Sequence, residues 1–180
     1  TMREDKWEKN AYGKGIELTG KTLGIVGFGR IGQKLGKMAK AIGMNVIAFD
    51  IFHIPGIEEE LGIPYVEMDE LLAKSDFISV HAPAVDGGAL INAERIAKMK
   101  DGVVIINTSR GTNVDEAALL DALNSGKVRA AGLDVYADEP ATNVALYSHP
   151  MVSCTPHIGS ATVEAQGRIG EELVEIISKM

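Results

Sequence analysis

Gly27-Phe28-Gly29-Arg30-Ile31-Gly32, followed by a carboxylate at Asp50, has the residue types and spacing that a dinucleotide site requires. Gly27 permits a tight turn. Gly29 has no Cβ, so a pyrophosphate can approach the backbone, and Gly32 lets a following helix pack closely on a sheet. A helix starting at Arg30-Ile31 would turn unpaired N–H groups and the positive end of its dipole toward the phosphates. Asp50 lies about 20 residues beyond the glycines, where a carboxylate accepts both ribose hydroxyls. It would repel a 2′-phosphate, and Ile51-Phe52-His53 brings no Arg or Lys. The expected cofactor is therefore NAD rather than NADP.

A second set could carry out hydride-transfer chemistry. Arg110 directly follows an apolar run and precedes a glycine. An Arg so placed is either a surface salt-bridge partner or a two-pronged holder of a carboxylate beside a nicotinamide. Glu139 either caps the turn before Pro140 or orients a base. His157 is either a half-buried loop histidine or the acid–base that moves a hydroxyl proton, a task that suits an unperturbed pKa of ~6.5. A carboxylate beside it would raise that pKa and fix the ring. Among the other histidines, His53 is expected to be exposed and His149 to lie in a loop. His81 either lines the adenosine side or simply ends its strand. No HxxxH or CxxC spacing supports a metal site. Ser109 and Ser160 lack a Gly-x-Ser-x-Gly setting for nucleophilic catalysis.

Positioning these residues requires strands that alternate with helices. Leu23–Val26 reads as a buried strand. After the glycine turn the period becomes helical, with Ile31, Leu35, Met38, Ala39 and Ile42 on one face, and Gly43 ends that helix. Val46–Phe49 is a second strand, closing on Asp50. A short helix at Glu58–Leu61, a brief strand at Tyr65-Val66 and a helix at Met68–Lys74 follow. Phe77–Val80 is a strand ending at His81-Ala82-Pro83, and residues 84–89 form a loop. Asn92 caps a helix to Met99. Val103–Asn107 is a strand, and Asn113 or Asp115 starts a helix that Ser125-Gly126 ends. Ala130–Val135 and Met151–Cys154 are the last strands, and a final helix runs from about Ser160 to the end. This alternation implies an α/β fold with a parallel, doubly wound sheet of the Rossmann type. Ligands bind at the carboxyl ends of such strands. His81, Ala82, Pro83, Thr108, Ser109, Arg110, Asp134, Glu139, His157 and Gly159 all fall at those ends, and are expected to line one crevice with the glycine turn.

The 180 residues suit one domain, with 46% apolar and 24% charged residues. A net charge of −7 argues against a nucleic-acid footprint. No apolar run approaches the ~20 residues of a membrane span, so no membrane partner is expected. The single cysteine, Cys154, fits a reducing cytoplasm and is expected to be a small buried residue of its apolar strand. Residues 1–15 are polar, with Trp7 and Tyr12 as the large apolar groups, and read as the end of a helix that packs on something outside the chain.

Four ordered motifs, Gly27 to Gly32, Asn107 to Asp115, Leu133 to Pro140 and Thr155 to Ser160, resemble the D-isomer-specific 2-hydroxyacid dehydrogenases. The closing stretch, Gly159 to Gln166 and Gly170 to Glu172, looks most like the branch acting on D-3-phosphoglycerate. The resemblance implies that Arg110 binds the carboxylate of a 2-hydroxy or 2-oxo acid, that His157 is the acid–base and that Glu139 is its partner. It also implies that Asp50 holds the adenosine ribose and that Asp134 lies near the nicotinamide amide. Val85 and Gly87-Gly88 depart from the threonine-containing segment usual after His81-Ala82-Pro83. Family members are two-domain proteins and homodimers. The resemblance therefore implies that residues 1–15 form a hinge from a substrate domain outside the chain, and that residues 16–180 form the NAD-binding domain. Readings with the same three residues are a glyoxylate/hydroxypyruvate reductase and a D-lactate dehydrogenase. A different class is an NAD-sensing corepressor-like protein.

Overall fold

In the computed structural model, residues 2–13 and 15–179 are described. Thr1 and Lys14 of the expected hinge, and Met180 at the end of the final helix, lie outside them. The strands are β1 (Thr22–Val26), β2 (Asn45–Phe49), β3 (Phe77–Val80), β4 (Val103–Asn107), β5 (Val128–Leu133) and β6 (Val152–Cys154). They form one six-stranded sheet in the order β2-β1-β3-β4-β5-β6, and every pairing is parallel. All six carboxyl ends therefore share one edge. The chain turns back at β1, which has β2 on one side and β3 on the other, and a crevice opens at such a reversal.

The helices are α1 (Lys9–Tyr12), α2 (Arg30–Ala41), α3 (Ile57–Leu61), α4 (Met68–Lys74), α5 (Ala93–Lys98), α6 (Glu116–Ser125), α7 (Val144–Tyr147) and α8 (Val163–Ser178). Two cores result. One packs α2 and α3 on the sheet through Leu23, Ile25, Phe28, Ala39, Val46, Ala48, Ile57, Leu61 and Ile63. The other packs α4 to α7 through Leu71, Leu72, Ile78, Val80, Ile96, Ile105, Leu119, Leu133 and Leu146. β1 and β3 are apolar almost throughout because both of their faces are covered.

The structure corrects several expectations. The buried face of α2 is Gly32, Gly36 and Ala39. Of the expected stripe, Ala39 is buried and Leu35 packs against this core, whereas Ile31, Met38 and Ile42 are 67%, 61% and 54% exposed, so the packing face is turned toward Gly32 and Gly36. Small residues win because they let the helix axis approach the sheet: a Cβ on Gly32 would sit 2.4 Å from the Gly27 carbonyl oxygen. Tyr65 makes only a single bridge to Ala48. β5 begins two residues before the expected position and ends two before. Asp115, not Asn113, caps α6, accepting from the Ala118 amide. The short helix α7, capped by Asn143, has no counterpart in the sequence reading. Thr162 caps α8, which buries none of its residues. Ile169, Leu173 and Ile176 on that helix are each at least half exposed. The N-terminal segment holds a 3-10 turn at Met2–Glu4 and α1, and Trp7 stands exposed.

Candidate active site

The glycine turn is built by contacts that a side chain would break. Gly27 has φ +95°, and a Cβ there would meet the Ala82 amide nitrogen at 2.5 Å, so the loops after β1 and β3 touch. At Gly29, the N-terminal cap of α2, a Cβ would point into open space. The open side at Gly29, with the amide end of α2 beside it, is the surface a pyrophosphate requires, so the residues present fit NAD. Asp50, at the end of β2, accepts from the Phe28 amide at 2.6 Å through Oδ2 and from the Phe52 amide at 3.0 Å through Oδ1. These bonds hold its carboxylate against the turn. A cavity of about 170 Å³ brings Gly27, Gly29 and Asp50 together with His81, Ala82, Pro83, Val85 and Leu90. Burial pulls the pKa of His81 down, favouring the neutral ring. Its Nε2 lies 2.8 Å from the buried Ser79 hydroxyl. Arg30 and Ile31 open α2 on its exposed side. His53 is exposed as expected and stacks on Tyr65 with ring centres 4.0 Å apart.

The end of β4 carries Thr108 and Arg110, both exposed, on either side of the buried Ser109. A network of amides fixes this turn. Asn107 Oδ1 accepts from the Ser109 amide and hydroxyl at 3.1 and 2.9 Å, and Asn107 Nδ2 donates to the Arg110 carbonyl at 2.9 Å. Arg110 Nη1 donates to the Ser109 carbonyl at 2.7 Å. A Cβ on Gly111 would lie 1.8 Å from the Tyr136 carbonyl oxygen, so the backbone after β4 abuts the loop that carries Glu139.

Glu139 and His157 meet. Glu139 Oε2 lies 2.7 Å from His157 Nδ1, while Oε1 accepts from the Tyr136 amide at 3.2 Å. The carboxylate thus both caps its turn and holds the imidazole. The His157 bond, then the Tyr136 amide, keep the Glu139 carboxyl below its ordinary pKa. With Nδ1 committed, Nε2 is the nitrogen left to exchange a proton with a ligand. His157 has φ +54°, an uncommon conformation outside glycine.

Asp134 explains how that conformation is held. Its buried carboxylate accepts from the Thr155 hydroxyl at 2.6 Å and the Ile158 amide at 2.9 Å through Oδ1, and from the Gly159 amide at 2.8 Å through Oδ2. Burial opposes its charge, but these three donors, with His157 nearby, keep its pKa below the usual value. Asp134 therefore clasps the turn that presents His157 and Gly159. The sequence reading assigns no role to the side chains of Asn107 and Thr155, although a polar residue closing an apolar strand is a recognisable signal. Cys154 is exposed, against expectation, because β6 is an edge strand whose end stands open. It lines a cavity of about 370 Å³ with Tyr136, Pro140, Tyr147 and the Glu139–His157 pair. Burial, then Cys154 and Asp134 beside it, push the Tyr136 phenol up to about 12. Among the described residues no group of acidic, His or Cys side chains could hold a metal ion, and no helix is long and apolar enough to cross a membrane.

Residues 1–159 match the family described as D-isomer specific 2-hydroxyacid dehydrogenase, NAD binding domain. The chain is 52% identical to a hydroxypyruvate reductase of Thermotoga maritima, covering 99% of this chain and 58% of that protein. It is 46% identical to the D-3-phosphoglycerate dehydrogenase of Mycobacterium tuberculosis, covering 98% of this chain and 34% of that protein. A D-lactate dehydrogenase from Aquifex aeolicus, solved with NAD and lactic acid, superposes with a TM-score of 0.85 at 37% identity, over 98% of this chain and 60% of that one. With a parallel sheet that reverses at β1, a glycine turn open to a pyrophosphate and a match over most of its length, the chain belongs to the D-isomer-specific 2-hydroxyacid dehydrogenases as an NAD-binding domain.

Proposed function

We propose that the chain is the cofactor half of an NAD-dependent dehydrogenase that interconverts a D-2-hydroxy acid and its 2-oxo acid. The Glu139–His157 pair, 2.7 Å apart at the strand edge that carries the glycine turn, supports this reading most directly. NAD supplies the hydride acceptor at that edge. Gly27 to Gly32 seat the pyrophosphate, and Asp50 accepts the adenosine ribose hydroxyls. His81, Ala82, Pro83, Thr108, Ser109, Asp134 and Gly159 shape the remaining floor. Arg110 pairs with the substrate carboxylate and orients the reacting carbon. His157 Nε2 takes the hydroxyl proton during oxidation and returns it during reduction, while Glu139 stabilises the imidazolium that forms.

Two substrates fit this chemistry. D-3-phosphoglycerate, giving 3-phosphohydroxypyruvate in serine biosynthesis, is favoured by the closing stretch from Gly159. Hydroxypyruvate is favoured by the 52% identity to the Thermotoga protein. We further propose that residues 1–15 belong to the hinge of a second, substrate-closing domain and residues 16–180 to the NAD-binding domain. The whole enzyme would be a cytoplasmic homodimer, and the present chain alone would turn over poorly. Vigorous steady-state turnover by this chain would refute the last point.

Calorimetric titration of NADH and NADPH tests the cofactor site. Tight NADH and weak NADPH binding is expected. Asp50→Ala should cut that preference about tenfold, equivalent to roughly 1.4 kcal/mol. Equal binding of the two by the unaltered chain would overturn the assignment of Asp50.

A further inference from the structure

Asn113 is fully buried and belongs to no element that needs it. It sits at the end of the 3-10 turn Gly111–Asn113 and does not cap the helix that follows. Its Nδ2 reaches across to the neighbouring strand end, donating to the Ala82 carbonyl at 2.9 Å and lying 3.2 Å from the Pro83 carbonyl. The same nitrogen lies 3.1 Å from the Ser109 hydroxyl, whose own proton goes to Asn107. Its Oδ1 is buried without a donor among the described residues. A buried acceptor left unpaired costs stability, so stability does not account for an amide here. The three acceptors do, because they belong to two loops whose strands stop pairing at Val80 and Asn107 and which rejoin at the bridge of Ile91 with Val114.

The sheet order places those loops next to the glycine turn along the carboxyl edge. On the cofactor reading given above, Asp50 would fix the adenosine end at β2, and the glycine turn would fix the pyrophosphate at β1. Strands are about 4.8 Å apart. An extended dinucleotide continuing along the same edge would therefore lay its nicotinamide half over the ends of β3 and β4. Those ends are Ala82-Pro83 and Ser109-Arg110.

We infer that Asn113 is a positioning residue for the nicotinamide half of NAD. Its carboxamide sets the spacing of the Ala82–Pro83 and Ser109–Arg110 loops, and with it the placement of Arg110 relative to the ring. This inference rests on the cofactor reading given above. It adds a residue that touches neither cofactor nor substrate and acts through the two loops that do.

The test compares two ligands on the same chain. ADP fills only the adenosine and pyrophosphate positions, whereas NADH also fills the nicotinamide position. Asn113→Leu removes both N–H donors and the orphaned oxygen while keeping the branched shape. It should keep the melting temperature within about 4 °C. ADP affinity should stay within about twofold while NADH affinity falls about fivefold or more, the size of a typical coupling between sites. Asn113→Ala, which leaves room for water, should show the same ADP-to-NADH contrast and decides the question if the leucine variant does not fold. A merely structural role would lower the melting temperature and weaken both ligands together, and that result would overturn the inference. So would unchanged NADH affinity. If the unaltered chain binds NADH no better than ADP, the cofactor reading itself fails and the inference falls with it. Normal NADH binding by both variants defeats the inference alone.

Discussion

At the scale of single residues, the site depends on side chains that hold backbone rather than on those that face the cleft. The carboxylate of Asp134 holds the turn of Thr155, Ile158 and Gly159. The folded pKa values of Asp134, Glu139 and Asp76 all lie below their ordinary values, at Asp76 because the Thr22 amide and Lys100 outweigh its burial. A carboxylate with a depressed folded pKa contributes stability above its unfolded pKa, and loses it as the pH falls through the folded value. Urea midpoints should therefore be insensitive to these groups above about pH 5 and should fall below about pH 4. Asp134→Asn should flatten that acid limb; an unchanged limb would remove Asp134 from it. Gly111→Ala should cost about 1–3 kcal/mol, because its Cβ would drive into the Tyr136 carbonyl. The same substitution should displace Glu139 from His157, read as a change in the imidazole nitrogen resonances. The sequence made the glycines, Asp50, Arg110, Glu139 and His157 legible because each follows a strand. Asn113 was legible only as a possible cap, since its partners at Ala82 and Pro83 are some thirty positions away.

At the scale of elements, the order of strands and helices could be read almost throughout, and the faces could not. In α2 the expected stripe packs through Leu35 and Ala39, but Gly32 and Gly36 form the rest of the face and Ile31, Met38 and Ile42 stand exposed. Period alone assigns the larger apolar residues to the core. Close approach of a helix to a sheet rewards the absence of a side chain, which a hydrophobicity pattern does not register. The same difficulty applies to Cys154, whose apolar neighbours suggested a covered strand where the sheet in fact ends. Helix α4 forms where the sequence places it, and it buries Met68, Leu71 and Leu72. Leu71→Ala should destabilise the domain by about 2–5 kcal/mol in urea denaturation. Ile42→Ala should cost less than about 0.5 kcal/mol, because Ile42 is more than half exposed. Equal costs at the two positions would mean that Ile42 is covered in solution.

For the whole molecule, one parallel sheet with all its carboxyl ends on one edge accounts for why residues as far apart in sequence as Gly27 and His157 share a rim. The division of the core has a consequence in time. Every buried member of the core beneath α2 and α3 comes from residues 23 to 63, so its contacts close short loops. The other core spans residues 26 to 146 and cannot close until β5 and α7 exist. Because loop closure precedes the contacts that reward it, the first core is expected to organise early and the second late. Ile25→Val and Val46→Ala should slow refolding, whereas Leu133→Ala and Leu146→Ala should mainly speed unfolding. On a ribosome, the half that seats the adenosine would take shape while the half carrying Glu139 and His157 was still being made.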